Sequence, residues 1–283
     1  MSEVADELEL NMWLYQDGIS RITIEEPGSD RYRVSEEPIL TEGVDLRPVH
    51  DIEDMITYHS SAGDNCFSIN GSSEDGIETY QYTFRCSEFS IGLSYDDKEV
   101  MQVNPISSLY IETGGQLTPA GTPSESDVID DLGFPMLVNF DYQTSVALGF
   151  FFPTEHIYGI PGREYDFDLK TTEKSGPYRL FNRDLDPHWP RNRTELYGSI
   201  PYITGHSTDS DGSVAWLNSA DTWVEMLSHE FDGKKGSYIN FLSEGGMLEF
   251  FMFGSGVHPG RVQKSLAQAT GFLALPPLQT LGF

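Results

Sequence analysis

The feature that most restricts the fold of this chain is a succession of short runs in which apolar and polar residues alternate, each closed by a turn signal. Successive side chains of an extended strand point to opposite faces, so such a run buries one face and wets the other. Tyr80-Gln-Tyr-Thr-Phe84 follows this rule, and Phe89, Ile91 and Leu93 fall on one face of the next run. Residues 11–15 and 19–24 flank Asp17-Gly18, a dipeptide that tolerates the positive φ of a tight hairpin turn. Asp96-Asp97 makes a second turn before the return run 100–103. Further strands are expected over 136–140, 145–152, 214–217, 222–226, 237–242 and 247–253, with Gly245-Gly246 as the turn before the last. Helix-period patterns are scarce, so the fold class is all-β.

One segment departs from this rule. Over 259–269, Val262, Leu266 and Ala269 recur at spacings of four and three, which suits a short amphipathic helix. Gly271 stands where a helix C-terminal stop belongs. Leu275-Pro-Pro-Leu278 then reads as an extended connector, because proline fixes φ and restricts its predecessor. Residues 114–131, rich in Gly, Ser, Pro and acids, read as a flexible loop. No internal repeat of fixed period is present. The expected organisation is a β-sandwich over 1–255 followed by a helix and linker over 256–283.

Aromatic residues make up 12% of the 283 residues, enough to build a packed core, and 27 Gly with 16 Pro supply the turns. The 45 acidic and 17 basic side chains give a net charge of −28. That charge repels phosphate backbones and anionic lipid, so no nucleic-acid or membrane partner is expected. No run approaches the roughly 20 apolar residues of a spanning helix. The start is acidic, unlike the basic start and apolar run of a secretory signal, so none is visible in this chain.

The two cysteines, Cys66 and Cys86, cannot make a disulfide framework or a tetrahedral zinc site. Free Cys is commonly buried, so two buried thiols are the first expectation. One bridge between neighbouring strands is the alternative and requires an oxidising compartment. The seven His residues are dispersed, and no metal or cofactor is expected. Asp209-Ser-Asp-Gly212 lacks the remaining ligands of a calcium loop and reads as a hairpin turn. Gly254-Ser-Gly256 lacks the third Gly and the βαβ setting of a dinucleotide site, and no Gly-x-Ser-x-Gly elbow occurs. Asn70-Gly-Ser72 and Asn192-Arg-Thr194 are candidate glycosylation sites, meaningful only in a secretory compartment.

From the middle of the chain onward, five motifs fall in an order that resembles glycoside hydrolase family 31. They are Tyr158-Gly-Ile-Pro-Gly-Arg163 with a strand after it (Asp166-Phe-Asp-Leu-Lys170), Gly176-Pro-Tyr-Arg-Leu-Phe-Asn-Arg-Asp184, Leu196-Tyr-Gly-Ser-Ile-Pro-Tyr202, Ala215-Trp-Leu-Asn-Ser-Ala-Asp-Thr-Trp-Val224, and Ala267-Gln-Ala-Thr-Gly271 through Leu275-Pro-Pro-Leu-Gln-Thr-Leu-Gly282. Earlier hairpins, 19–34 and 83–110, are similar as well. The resemblance implies a galactose-mutarotase-like β-sandwich with a short C-terminal helix and connector, the N-terminal region of an α-glucosidase that trims glucose from N-linked glycans in the endoplasmic reticulum lumen. Its implied partners are an α-glucoside or glucosylated glycan, a catalytic (β/α)₈ barrel and a β subunit. A retaining glycosidase needs two carboxylates about 5 Å apart. The family's Trp-x-Asp-Met-Asn-Glu nucleophile motif is absent from the sequence, whose one Asp-Met pair is Asp54-Met55, so no catalytic residue is assigned.

By the same resemblance Asp184 is a substrate-binding residue. A carboxylate accepts hydrogen bonds from two adjacent sugar hydroxyls. Trp189 and Tyr197 are candidate sugar-stacking faces. The alternative is that Asp184 and Asp186 are plain loop acids and Trp189 covers the core. Gly162-Arg163 stands where the family usually has Glu-His, which implies that this loop is released from the family's constraints. Two other functions compete: a stand-alone carbohydrate-binding module, and a truncated product without ligand that associates through its uncovered face.

Overall fold

The computed structural model describes residues 7–29, 31, 33, 46–50, 52–59, 65–112, 128–129, 135–136, 145–163, 166–183, 197–256 and 258–282. The strand Thr79–Arg85 illustrates how the sequence builds it: Tyr80, Tyr82 and Phe84 are buried while Thr79 and Gln81 face solvent. Repeating this alternation gives two antiparallel sheets whose apolar faces meet. The first runs, edge to edge, Glu9–Leu14, Ser20–Glu25, Gly246–Ser255, Asp211–Ser219, Tyr202–His206, Ile157–Gly159. The second runs Tyr178–Leu180, Thr222–Phe231, Lys234–Ser243, Val146–Phe152, Lys98–Val103, Ser90–Tyr95, Thr79–Arg85, Asn65–Ser72, Ile56–Tyr58, and Tyr110–Ile111 also pairs with Val146–Phe152. The chain is therefore the all-β sandwich that the alternation predicts.

Between the sheets, Phe150 meets Phe241 at 5.8 Å and Phe250 at 5.3 Å, both edge to face. Trp216 packs on Phe241 and donates its indole N–H to the Met247 carbonyl at 2.9 Å. Each such side chain contributes roughly 1.5–3 kcal/mol by burial. The Asp17-Gly18 turn forms as expected and is clamped to the second sheet. Tyr95 donates to the Asp17 carbonyl (2.8 Å) and Tyr82 to the Gly18 carbonyl (2.8 Å). Gly18 has φ +72°, and a Cβ there would strike the Tyr80 ring and the Tyr95 hydroxyl, so only glycine fits.

The central strands of the first sheet are buried on both faces. The helix Pro259–Thr270 lays Val262, Leu266 and Ala269 over Phe251 and Phe253 on its outer face. Gly271 ends the helix with φ +90°. Farther along this face, buried Arg21 donates to buried Glu249 (2.6 Å) and lies 5.0 Å over the Trp13 ring. Two buried charges persist there because they are paired and hydrogen-bonded.

Several expectations change. Cys66 and Cys86 are not free thiols: they form a disulfide, with Cα atoms 5.8 Å apart. A bulge in Asn65–Ser72 puts Cys66 out of register with the facing strand, which brings it within reach of Cys86. The turn expected at 209–212 lies at 207–210 instead, where Ser207 Oγ accepts from the backbone N–H groups of Asp209 and Ser210, and Asp211-Gly212 belong to the next strand. Residues 166–170 are no strand, since Leu169 bonds to Ile157 O as a single contact within bends. The connector after the helix ends in a 3₁₀ turn, Leu278–Thr280. Most of the loop expected at 114–131 lies outside the described residues, apart from Val128–Ile129, which pairs with Pro135–Met136.

Candidate functional site

The edge strand Ile157–Gly159 runs into a turn with three positive-φ residues. Gly159, Ile160 and Gly162 have φ of +128°, +39° and +94°. A β-branched residue at positive φ costs of order 1–3 kcal/mol and persists only where its surroundings fix it. Ile160 is fully buried, donates its N–H to Tyr202 O at 2.7 Å, and accepts from Arg163 Nε at 2.8 Å. Arg163 also donates to Arg179 O at 3.3 Å and lies 5.2 Å over the Tyr178 ring. Gly162 packs so closely against the Gly198 carbonyl that a side chain would collide with it.

This loop lines an open groove of about 630 Å³. Tyr158, Phe167, Tyr202 and His206 form apolar walls, and Pro259 and Gln263 of the helix close one side. Tyr202, Thr204 and His206 share the outward face of one strand, since Ile203 and Gly205 point to the core. Gln263 Nε2 donates to the Tyr202 hydroxyl at 3.1 Å. His206 Nδ1 is hydrogen-bonded to the buried Asp211 carboxylate, which fixes the ring at the rim. Phe167 is 92% exposed, a bare aromatic face beside the groove that alternation could not single out because it lies in an irregular stretch.

Of the residues expected to touch sugar, Tyr197 is exposed and sits next to Gly198, at the same end of the molecule as the strained loop. Asp184, Trp189 and Asn192 lie outside the described residues. The described residues flanking that stretch are tied together, with Ser199 Oγ donating to Asn182 Oδ1 at 2.9 Å. The second candidate acceptor, Asn70, lies on the other sheet, away from the groove. Among the described residues no cluster of three or more His, Cys, Asp or Glu is arranged to hold a metal ion, and no helix is long and apolar enough to cross a membrane.

Residues 9–225 match the model of the glycosyl hydrolase 31 N-terminal galactose mutarotase-like domain. Neutral alpha-glucosidase AB of Mus musculus is 39% identical over 157 residues, covering 50% of this chain and 16% of that protein. Neutral alpha-glucosidase C of Homo sapiens is 25% identical over 283 residues, covering 86% of this chain and 31% of that protein. Among solved structures, the ER glucosidase II heterodimeric complex of catalytic subunit and regulatory-subunit binding domain superposes with a TM-score of 0.73 at 23% identity, covering 95% of this chain and 31% of that one. The chain thus spans less than a third of the length of these relatives.

Proposed function

The chain belongs to the glycosyl hydrolase 31 N-terminal galactose mutarotase-like domain family, and from that membership we propose that it is the non-catalytic sandwich of an α-glucosidase trimming glucose from N-linked glycans in the endoplasmic reticulum lumen. In this reading the catalytic carboxylates belong to a barrel, and the sandwich shapes the rim of the substrate pocket. The observation that carries it is the strained loop 159–163 packed on Gly198, beside the tied residues Asn182 and Ser199. Strain held rigidly by surrounding contacts is a means of placing a neighbouring segment with precision. In this reading the segment between Asn182 and Ser199 carries Asp184, whose carboxylate is suited to two adjacent hydroxyls, and Trp189 and Tyr197 supply stacking faces. A regulatory subunit of the kind present in the glucosidase II complex is the proposed protein partner.

The test has two parts. Purified 283-residue chain is assayed against a chromogenic α-glucoside, and the transcript is read past the codon of Phe283. The expected results are no turnover and an open frame containing Trp-x-Asp-Met-Asn-Glu. Cleavage that co-purifies with the chain would overturn the reading, as would a stop codon directly after Phe283.

A further inference from the structure

We propose that Asn70 carries an N-linked glycan on the outer face of the second sheet. The inference is independent of any α-glucosidase role. Asn70 opens the triplet Asn70-Gly-Ser72 on the strand Asn65–Ser72. Ile69 of that strand points into the core, so Asn70 points outward, and it is exposed. Its cross-strand neighbours are Gln81 and then Ser94. With Ser72 and Thr83 these make a patch of uncharged polar side chains, in a chain with 45 acidic and 17 basic residues. Exposed sheet faces usually rely on charge to stay apart from other proteins. A glycan supplies bulk and hydration over this uncharged patch.

The site also has room. Beside Asn70 lies a shallow polar groove of about 320 Å³ reaching Asp96 and Asp97, whose carboxylates can accept hydrogen bonds from the first sugar. The Asn70 amide needs little rearrangement. Its Oδ1 already accepts from Gln81 Nε2 at 2.6 Å, and Nδ2 faces Ser68 Oγ at 3.4 Å, a contact that one remaining N–H can serve. An independent observation supports such a compartment: Cys66, four residues before Asn70 on the same strand, is bridged to Cys86. Disulfides persist in the oxidising compartments where N-glycans are added.

The transfer uses a lipid-pyrophosphate-linked oligosaccharide as donor. A bond forms between Asn70 Nδ2 and the sugar C1, the C1–O bond to the pyrophosphate breaks, the amide nitrogen loses one proton, and the lipid pyrophosphate leaves.

The chain is expressed behind a secretory leader in a eukaryotic host, and total cellular material is analysed, so that occupancy is read whether or not a variant folds. Four variants are compared: Asn192→Gln, which removes the second triplet, Asn70→Gln and Ser72→Ala, each made in the Asn192→Gln background, and Ser72→Thr in the same background. The expected result is that Asn192→Gln and Ser72→Thr carry one glycan released by peptide N-glycosidase, with Asn70 converted to Asp in the released peptide. Asn70→Gln and Ser72→Ala run at polypeptide mass. An Asn192→Gln variant without glycan, or one whose glycan survives Asn70→Gln, overturns the proposal.

Discussion

Removing the Cys66–Cys86 bridge has a cost that follows from chain length. The cysteines are 20 residues apart, and closing a loop of that size removes about 3 kcal/mol of conformational freedom from the unfolded chain at 25 °C. The bridge joins neighbouring strands, which adds no long-range tie, so loop entropy is its main contribution. Neither sulfur is needed to fill the core: Cys86 is exposed and Cys66 half-buried, while the adjacent Phe67–Phe84 stack (4.2 Å) stays in place. The Cys66→Ser/Cys86→Ser double variant should therefore lose about 3 kcal/mol, a shift of about 1 M in urea midpoint if m is near 3 kcal/mol/M. Equilibrium unfolding followed by tryptophan fluorescence, with and without reductant, measures it. Reductant should move the parent protein to the variant's midpoint and leave the variant unmoved. If the oxidised parent and the variant unfold within half a kcal/mol of each other, or peptide mapping finds both thiols free, the reasoning fails.

Four more outcomes are expected. Arg261 on the helix donates to Asp75 (2.6 Å) and to buried Glu78 (3.1 Å), so Arg261→Ala strips a buried carboxylate of its cation and should cost roughly 3 kcal/mol in urea unfolding; Glu78→Gln in that background should recover part of the loss. Burial pushes the Tyr80 hydroxyl up to about 12 and Tyr82 and Tyr95 well above the usual range; because the folded state binds these protons more tightly than the unfolded one, stability is intact below about pH 10 and falls as pH rises through 12, and tyrosinate absorbance should appear together with loss of near-ultraviolet dichroism. Phe272, Leu273, Leu275, Leu278 and Leu281 are exposed beyond the helix, so the isolated chain should self-associate with rising concentration in sedimentation, and Leu273→Ser/Leu275→Ser should reduce it; a monomer at every concentration refutes this. Gly162→Glu, which restores the residue the family usually carries, forces a side chain against Gly198 at φ +94° and should lower stability by about 1–3 kcal/mol in thermal unfolding.

What could be read from the sequence was whatever the strand period writes locally. Thr79–Arg85, Ser90–Tyr95 and the Asp17-Gly18 turn carry their own patterns, and the helix ends at Gly271 as its spacing requires. Thr222–Phe231 runs five residues past its expected end, because Ser228, His229 and Glu230 look like turn residues until Lys235, Gly236 and Ser237 lie opposite them. The short strands Ile157–Gly159 and Tyr178–Leu180 exist through partners far away in the chain. The bridge depends on a bulge, which no spacing rule encodes. The candidate site divides the same way. The residues proposed to face sugar were legible only through resemblance, while Phe167, His206 and Asp211 enter through geometry.

Gly162-Arg163 shows why a changed motif need not be a relaxed one. The sequence reading takes the replacement of Glu-His as release from constraint. In the fold, glycine is the residue that can pass Gly198 at positive φ, and the Arg163 guanidinium bonds two carbonyls and caps Tyr178. Those contacts hold Ile160 in its strained backbone, so the pair is constrained by the turn it builds. A substitution there acts first on the position of the loop and on its contact with Gly198. An Arg163→Ala change in a barrel-containing protein should thus weaken substrate binding even if Arg163 never touches sugar, and an unchanged KM alongside lowered thermal stability would separate the structural role from the positioning one.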